Sequence, residues 1–211
     1  SIDGAFLKCG NTNCPARVIR SLLYWCRFHE IDGVGDKLAA QLVESKLVTN
    51  ISDLYRLTIE DITSLERMGR KSAGHIMTQI HEKTRMPLHQ FLAALGLPRI
   101  GPEIASLISS RIGTIDNLKV MVESWTDNDD NSHRQLEELV KIDGIGEVVA
   151  RLFLDGVSST WQSTLDLASI LDITETILES EGTGPLDGKT FCITGTLTRP
   201  RKEIELLIKS S

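Results

Sequence analysis

Two kinds of residue in this 211-residue chain have types and spacings that suit chemistry: glycines that bare backbone N–H groups, and paired cysteines. The glycines recur in one pattern of apolar, any, Gly or Arg, apolar, Gly, three residues, Ala. The copies are Ile31-Asp32-Gly33-Val34-Gly35 to Ala39, Leu65-Glu66-Arg67-Met68-Gly69 to Ala73, Leu97-Pro98-Arg99-Ile100-Gly101 to Ala105, and Ile142-Asp143-Gly144-Ile145-Gly146 to Ala150. A tight turn entering a helix leaves unpaired N–H groups facing outward, and the helix dipole adds partial positive charge there. That is a phosphate site without a basic side chain. Four of them suit a long polyanion better than one small ligand.

Basic side chains lie beside the turns: Lys37, Arg67, Arg70, Lys71, Arg99 and Arg151. Arg67 and Arg99 replace the first glycine, which weakens a strict backbone-phosphate reading there but offers side chains to phosphates or a minor groove. The first and fourth turns, Gly33/Gly35 and Gly144/Gly146, are then the better backbone sites. Phosphate contacts carry no sequence information, so the expected partner is duplex DNA bound without sequence preference. A Val at Gly35 or Gly146 is expected to strain the turn if φ is positive there.

Cys9-Gly-Asn-Thr-Asn-Cys14 has a knuckle-like spacing. A structural zinc wants four ligands. The set is completed either by Cys26 and His29 or by two cysteines outside this sequence; the bland alternative is a pair of free thiols. Cys26 and Cys192 read as core residues. Lys141-Ile142-Asp143-Gly144 spells the Lys-x-Asp-Gly signature of a nucleotidyltransferase nucleophile. Its Asp and Gly belong to the fourth turn, so it reads as a decoy. No catalytic triad, paired carboxylates or P-loop stands out, and His75 and His81 read as surface residues.

The elements that must position these residues are helical. Apolar residues follow each turn at helical spacing: Leu38, Ala39, Leu42 and Val43; Ala73, Ile76, Met77 and Ile80; Ile104, Ala105, Leu107 and Ile108; Val148, Val149, Leu152 and Phe153. Further helices are expected around 16–27, 51–63, 88–95, 115–122, 133–140 and 160–171. The fold class is therefore mainly α, a bundle of short helices built from four helix-hairpin-helix motifs over 31–155. The shared Ala lets paired helices approach closely. Before it, residues 1–30 hold the cysteine segment and a connecting helix. After it, 156–185 read as a helix and an acidic linker ending in Glu-Gly-Thr-Gly-Pro. Strand signals are almost absent before residue 189, where Lys189–Thr194 form a β-type run that opens an α/β domain cut off at 211.

Net charge is −6, against a generic nucleic-acid binder. The excess is uneven: residues 123–138 carry −5 and 157–185 another −5, leaving +4 elsewhere. Both stretches read as loop and tail, away from the repeats; the insert 124–132 has no functional account. No apolar run approaches the ~20 residues that span a bilayer. The start, without Met or a signal-peptide pattern, reads as that of an excised fragment. Thiols without a secretory signal point to a reducing compartment.

The order of Cys9/Cys14, Ile-Asp-Gly-Val-Gly-Asp-Lys, Leu-Glu-Arg-Met-Gly-Arg-Lys-Ser-Ala, Ala-Leu-Gly-Leu-Pro-Arg-Ile-Gly and Leu-Asp-Gly-Lys-Thr-Phe-Cys-Ile-Thr-Gly-Thr-Leu resembles the C-terminal half of bacterial NAD-dependent DNA ligases. The resemblance covers nearly the whole chain. It implies half of a zinc finger, with Cys9 and Cys14 as two ligands and the other two upstream, a helix-hairpin-helix domain, and the start of a BRCT domain at 186–211. It implies a parent enzyme that seals nicks between 5′ phosphate and 3′ hydroxyl in replication and repair. The lysine nucleophile and the NAD and magnesium sites would lie in an adenylation part this sequence lacks, so the chain alone would be inactive. Nicked double-stranded DNA is the implied partner, with no membrane, a monomeric state and a bacterial cytoplasmic, nucleoid-associated location. The DNA-binding residues would be Gly33, Gly35, Lys37, Arg67, Gly69, Arg70, Lys71, Arg99, Gly101, Gly144 and Gly146. A helix-hairpin-helix scaffold module of another repair protein is the competing reading.

Overall fold

Pro15 sits where a helix tolerates proline, in the first turn, and opens α1 (Pro15–Phe28). The computed structural model describes residues 2–3, 6–7, 14–125 and 130–175, with only the backbone described at 2–3, 6–7 and 130–132. Two short strands, β1 (Ile2–Asp3) and β2 (Phe6–Leu7), pair antiparallel at the start. The chain then continues through α2 (Asp36–Glu44), α3 (Ile51–Leu54), α4 (Ile59–Thr63), α5 (Arg70–Glu82), β3 (Arg85–Pro87), α6 (Leu88–Ala94), α7 (Pro102–Ile112), α8 (Ile115–Glu123), α9 (Asp130–Val140), α10 (Glu147–Ser159), α11 (Trp161–Ile170) and β4 (Asp172–Thr174). The expected linker end and the strand-and-helix start at 186–211 lie outside the described residues, as does Cys192.

The mainly α class holds, and the architecture follows the repeats. Each repeat turn joins two helices that pack on each other: α1 with α2, α4 with α5, α6 with α7, and α9 with α10. The Ala of each repeat (Ala39, Ala73, Ala105 and Ala150) is fully buried at that junction. Its small side chain lets the backbones close. The expected boundary at residue 31 cuts through the first pair, because α1 carries Leu22, Trp25 and Cys26 into the core. Trp25 stands edge-on to Tyr55 and Phe91, and its indole N–H donates to the Tyr55 hydroxyl at 3.0 Å. That hydroxyl donates to the Lys83 carbonyl, so the polar atoms of Trp25 and Tyr55 are both paired.

Four features depart from expectation. The helix expected over 51–63 is two short helices, α3 and α4, because Asn50 and Thr58 each start a helix with a capping box. The first acidic stretch is not confined to a loop: Glu137 and Glu138 lie on α9, the first helix of the fourth hairpin. Residues 126–129 of the acidic insert are outside the described residues. The second acidic stretch includes α11 and β4. Finally, β3 and β4 form a parallel pair, Arg85 opposite Asp172 and Met86 opposite Ile173. Three residues are too few to show strand alternation in sequence.

An exposed clasp fastens α11 to α3. Arg56 grips Asp166 with two hydrogen bonds, at 2.6 and 2.9 Å, and the buried Ser52 hydroxyl also donates to that carboxylate. The Arg56 and Ser52 hydrogen bonds hold Asp166 down at about 2, against 3.8 for a free carboxyl. A carboxyl that is more acidic folded than unfolded stabilises the fold above its unfolded pKa, and that contribution is lost as pH falls through the folded value. Stability should therefore drop between about pH 4 and pH 2. Asp166→Asn should flatten that part of an acid titration of unfolding and lower stability at pH 7; an unchanged acid limb would dismiss the clasp.

Candidate nucleic-acid interface

The four turns share one backbone shape despite their two sequences. Gly33 and Gly144 take φ of 92° and 84°, and Arg67 and Arg99 take 63° and 64° at the same repeat position. Leu65, Leu97 and Ile142 carbonyls accept from the N–H three residues on, at 3.3, 3.1 and 3.0 Å. A turn with positive φ at its third residue is what type II geometry demands, and it normally selects Gly. The apolar residue after it, Val34, Ile100 or Ile145, is buried, while Met68 is half-buried. Replacement of the first glycine thus does not alter the turn, and the first and fourth hairpins gain no backbone advantage over the other two.

The second glycine behaves differently. Gly35, Gly69, Gly101 and Gly146 are the N-caps of α2, α5, α7 and α10, in extended backbone with φ between −85° and −92°. Any residue adopts that conformation, so a Val at Gly35 or Gly146 meets no backbone strain, contrary to the expectation from sequence. A Cβ added at any of the four would meet nothing within 4 Å. The carbonyl of each accepts the Ala N–H of its own repeat at 2.9 or 3.0 Å. No side chain caps these helices. By contrast, α3, α4 and α8 are capped by Asn50, Thr58 and Thr114. The chain spends good caps elsewhere and leaves these helix ends bare and open to solvent.

Charge ranks the four ends. Asp36, Glu103 and Glu147 occupy the first turns of α2, α7 and α10, where they already satisfy the dipole. The first turn of α5 has no acid and begins with Arg70 and Lys71. Pro102 also removes one N–H from α7. The second hairpin therefore has the most positive first turn of the four. Its Arg67 side chain is 84 % exposed, near Glu66 at 3.4 Å, and Arg70 reaches Glu60 at 3.4 Å. Such exposed pairs hold these cations loosely. Lys37, Lys71 and Arg99 are exposed at their own turns. The fourth hairpin is more apolar than expected: Val148 is 65 % exposed and Leu107 packs beneath Gly144 instead of entering the core.

The left-handed backbone at Arg67 costs about 1–2 kcal/mol relative to glycine. Arg67→Gly should raise the melting temperature by roughly 2–4 °C and weaken duplex binding, with the salt slope shallower by about one. Equal binding by Arg67→Gly and the parent would remove Arg67 from the interface.

Residues 27–82, from the end of α1 through α5, match the family of SAM-like helix-hairpin-helix tandems. A DNA ligase of Methylacidiphilum infernorum is 33% identical over 97% of this chain and 28% of its own length. Those of Coprothermobacter proteolyticus and Syntrophomonas wolfei are 34% and 36% identical, over 93% and 96% of this chain and 28% and 30% of theirs. The chain is thus similar to these DNA ligases over nearly its whole length. It spans less than a third of the length of these relatives.

The other candidate residues of the chain separate cleanly. Lys141 is exposed at the mouth of the fourth turn and donates to Glu138 at 2.7 Å. Cys14 is the half-exposed N-cap of α1, and Cys9 lies outside the described residues. Cys26 is twelve residues along the same helix, ~18 Å away at the helical rise, too far to share one zinc ion with Cys14. It is 1 % exposed, and burial pushes its thiol up to about 12. His29 is buried at the end of α1, its ring 4.5 Å from that of Trp25. Burial, then the Lys83 charge, lowers it to about 4. The in-chain set of Cys9, Cys14, Cys26 and His29 is therefore excluded by helix geometry. Among the described residues no group of three or more His, Cys, Asp or Glu side chains could hold a metal. His75 and His81 are exposed, as expected. No described helix is long and apolar enough to cross a membrane.

Proposed function

We propose that this chain is the duplex-gripping part of an NAD-dependent DNA ligase. One observation carries the reading. Four helix N-termini end in glycines that the fold itself does not require, since their φ is ordinary and their Cβ space is empty. A side chain there would stand between the free N–H groups and an approaching phosphate. Readout through backbone N–H groups makes the grip independent of sequence.

The parent enzyme would seal nicks in replication and repair, with NAD and magnesium acting in an adenylation part, so that this chain alone would not join DNA. The grip would hold the nick in register with the reacting groups, which contributes to rate through positioning. Cys9 and Cys14 would supply two of four zinc ligands, with residues 186–211 opening a BRCT domain. We place the protein in the bacterial cytoplasm, at the nucleoid, as a monomer on nicked duplex.

Binding of a nicked duplex by this chain, followed across salt concentration, tests the proposal. Engagement of one phosphate at each of four hairpins predicts a log–log slope of about −4 or steeper, with no preference among sequences. Flat or absent binding would reject it and favour a protein-interaction role for the same hairpins.

A further inference from the structure

The first two turns are cross-braced. The Asp32 N–H in the first turn donates to Gln79 Oε1 of α5 at 2.6 Å. The Glu66 N–H in the second turn donates to Gln41 Oε1 of α2 at 2.8 Å, and Gln41 Nε2 donates back to the Glu66 carbonyl at 3.5 Å. Asp32 and Glu66 hold the same position in the repeat. Each turn is thus held by a glutamine from the second helix of the other hairpin. Gln79 is itself steadied by the His75 ring nitrogen, 3.3 Å from its Nε2. Gly33 rests on the same helix, close enough that a Cβ there would come within 2.8 Å of Ile76 Cγ1. In the third hairpin, Pro98 takes this repeat position and has no N–H to offer.

We propose that Gln41 and Gln79 are positioning residues that fix the spacing of the first two phosphate-facing turns. The inference rests on the DNA-gripping reading. Two turns that bind one backbone act as a bivalent ligand, and their joint affinity depends on their mutual placement being set before contact. The glutamines touch no DNA in this account. They remove the freedom that the turns would otherwise lose on binding.

The test uses Gln41→Met and Gln79→Met, singly and together, in the 211-residue chain. Amide hydrogen exchange at Asp32 and Glu66 should rise about tenfold or more, with the melting temperature nearly unchanged. Affinity of the double variant for nicked duplex should fall about tenfold, with the salt slope kept, because no phosphate contact is deleted. Gln79→Glu, which keeps an acceptor, should restore protection at Asp32. Unchanged exchange in the Met variants would show that the bonds do not hold the turns. Faster exchange with parental affinity would show that holding them does not serve binding. A parent chain that fails to bind duplex overturns the gripping reading itself, and is seen before any variant is made.

Discussion

Gly69→Asp should make the protein more stable and a worse binder at once. Asp is a better N-cap than Gly by a few tenths of a kcal/mol. Its carboxylate also meets the positive end of α5, worth about 0.3–1 kcal/mol. The site is open, with no atom within 4 Å of the new Cβ and extended backbone that Asp accepts. Arg67, Arg70 and Lys71 surround it with positive charge. Unfolding should therefore shift upward by roughly 1–3 °C. The same carboxylate fills the place where a phosphate would receive the bare N–H groups. A charge-assisted hydrogen bond is worth about 1.5–3 kcal/mol, so duplex affinity should fall by tenfold or more. Gly69→Ala separates bulk from charge, because it adds only the Cβ. Calorimetry and a binding titration on the same preparations give both signs. Parental affinity in a stabilised Gly69→Asp variant would remove the backbone from DNA recognition.

The first glycine of the same motif should respond in the opposite way. Gly33 has φ of 92°, and a Cβ there would approach Ile76 Cγ1 to 2.8 Å. Gly33→Ala should cost about 2–4 kcal/mol, combining left-handed strain with overpacking against α5. The melting temperature should drop by roughly 5–10 °C. Gly35→Ala, two residues on, should leave it within about a degree or two. Equal stability of the two variants would show that the turn does not depend on positive φ. The pair splits one short motif into a residue kept for the fold and a residue kept for what the fold binds.

Much of this was legible beforehand because the decisive patterns are local. Four turns in one register, each with an Ala one helical turn later, predicted the helix pairs and the buried junctions at Ala39, Ala73, Ala105 and Ala150. What escaped were features that depend on partners far along the chain or on backbone angles. A letter G does not say whether φ is positive, and the left-handed angle falls at Gly33 and Gly144 and not at Gly35 and Gly146. From sequence, Arg67 and Arg99 only weaken a strict backbone-phosphate reading, yet both take the positive φ of Gly33 and Gly144, and Met68 and Ile100 after them pack on the core. The break between α3 and α4 had a signal, Thr58 with Asp61 three residues on, that a helix-spanning apolar pattern masked. Cys26 as a metal ligand failed on helical rise alone. The glutamine braces had no sequence signal, since Gln41 and Gln79 look like ordinary surface residues until the turns are seen beneath them.

The β3–β4 pairing and the Arg56–Asp166 clasp together set an order of events for the chain's assembly. Each hairpin closes between neighbours, so its contacts form across short loops and quickly. Strand β4 must instead find Arg85–Pro87 across 87 residues, since Arg85 pairs with Asp172, and Asp166 must find Arg56 across 110. Those closures cost more chain entropy and reward it only after the hairpins stand. Among the described segments, α11 and β4 are then the last to dock and the first to let go. The hairpins would be complete while the nascent chain still lacks its final strap, leaving a four-turn surface that matures before the protein around it is closed.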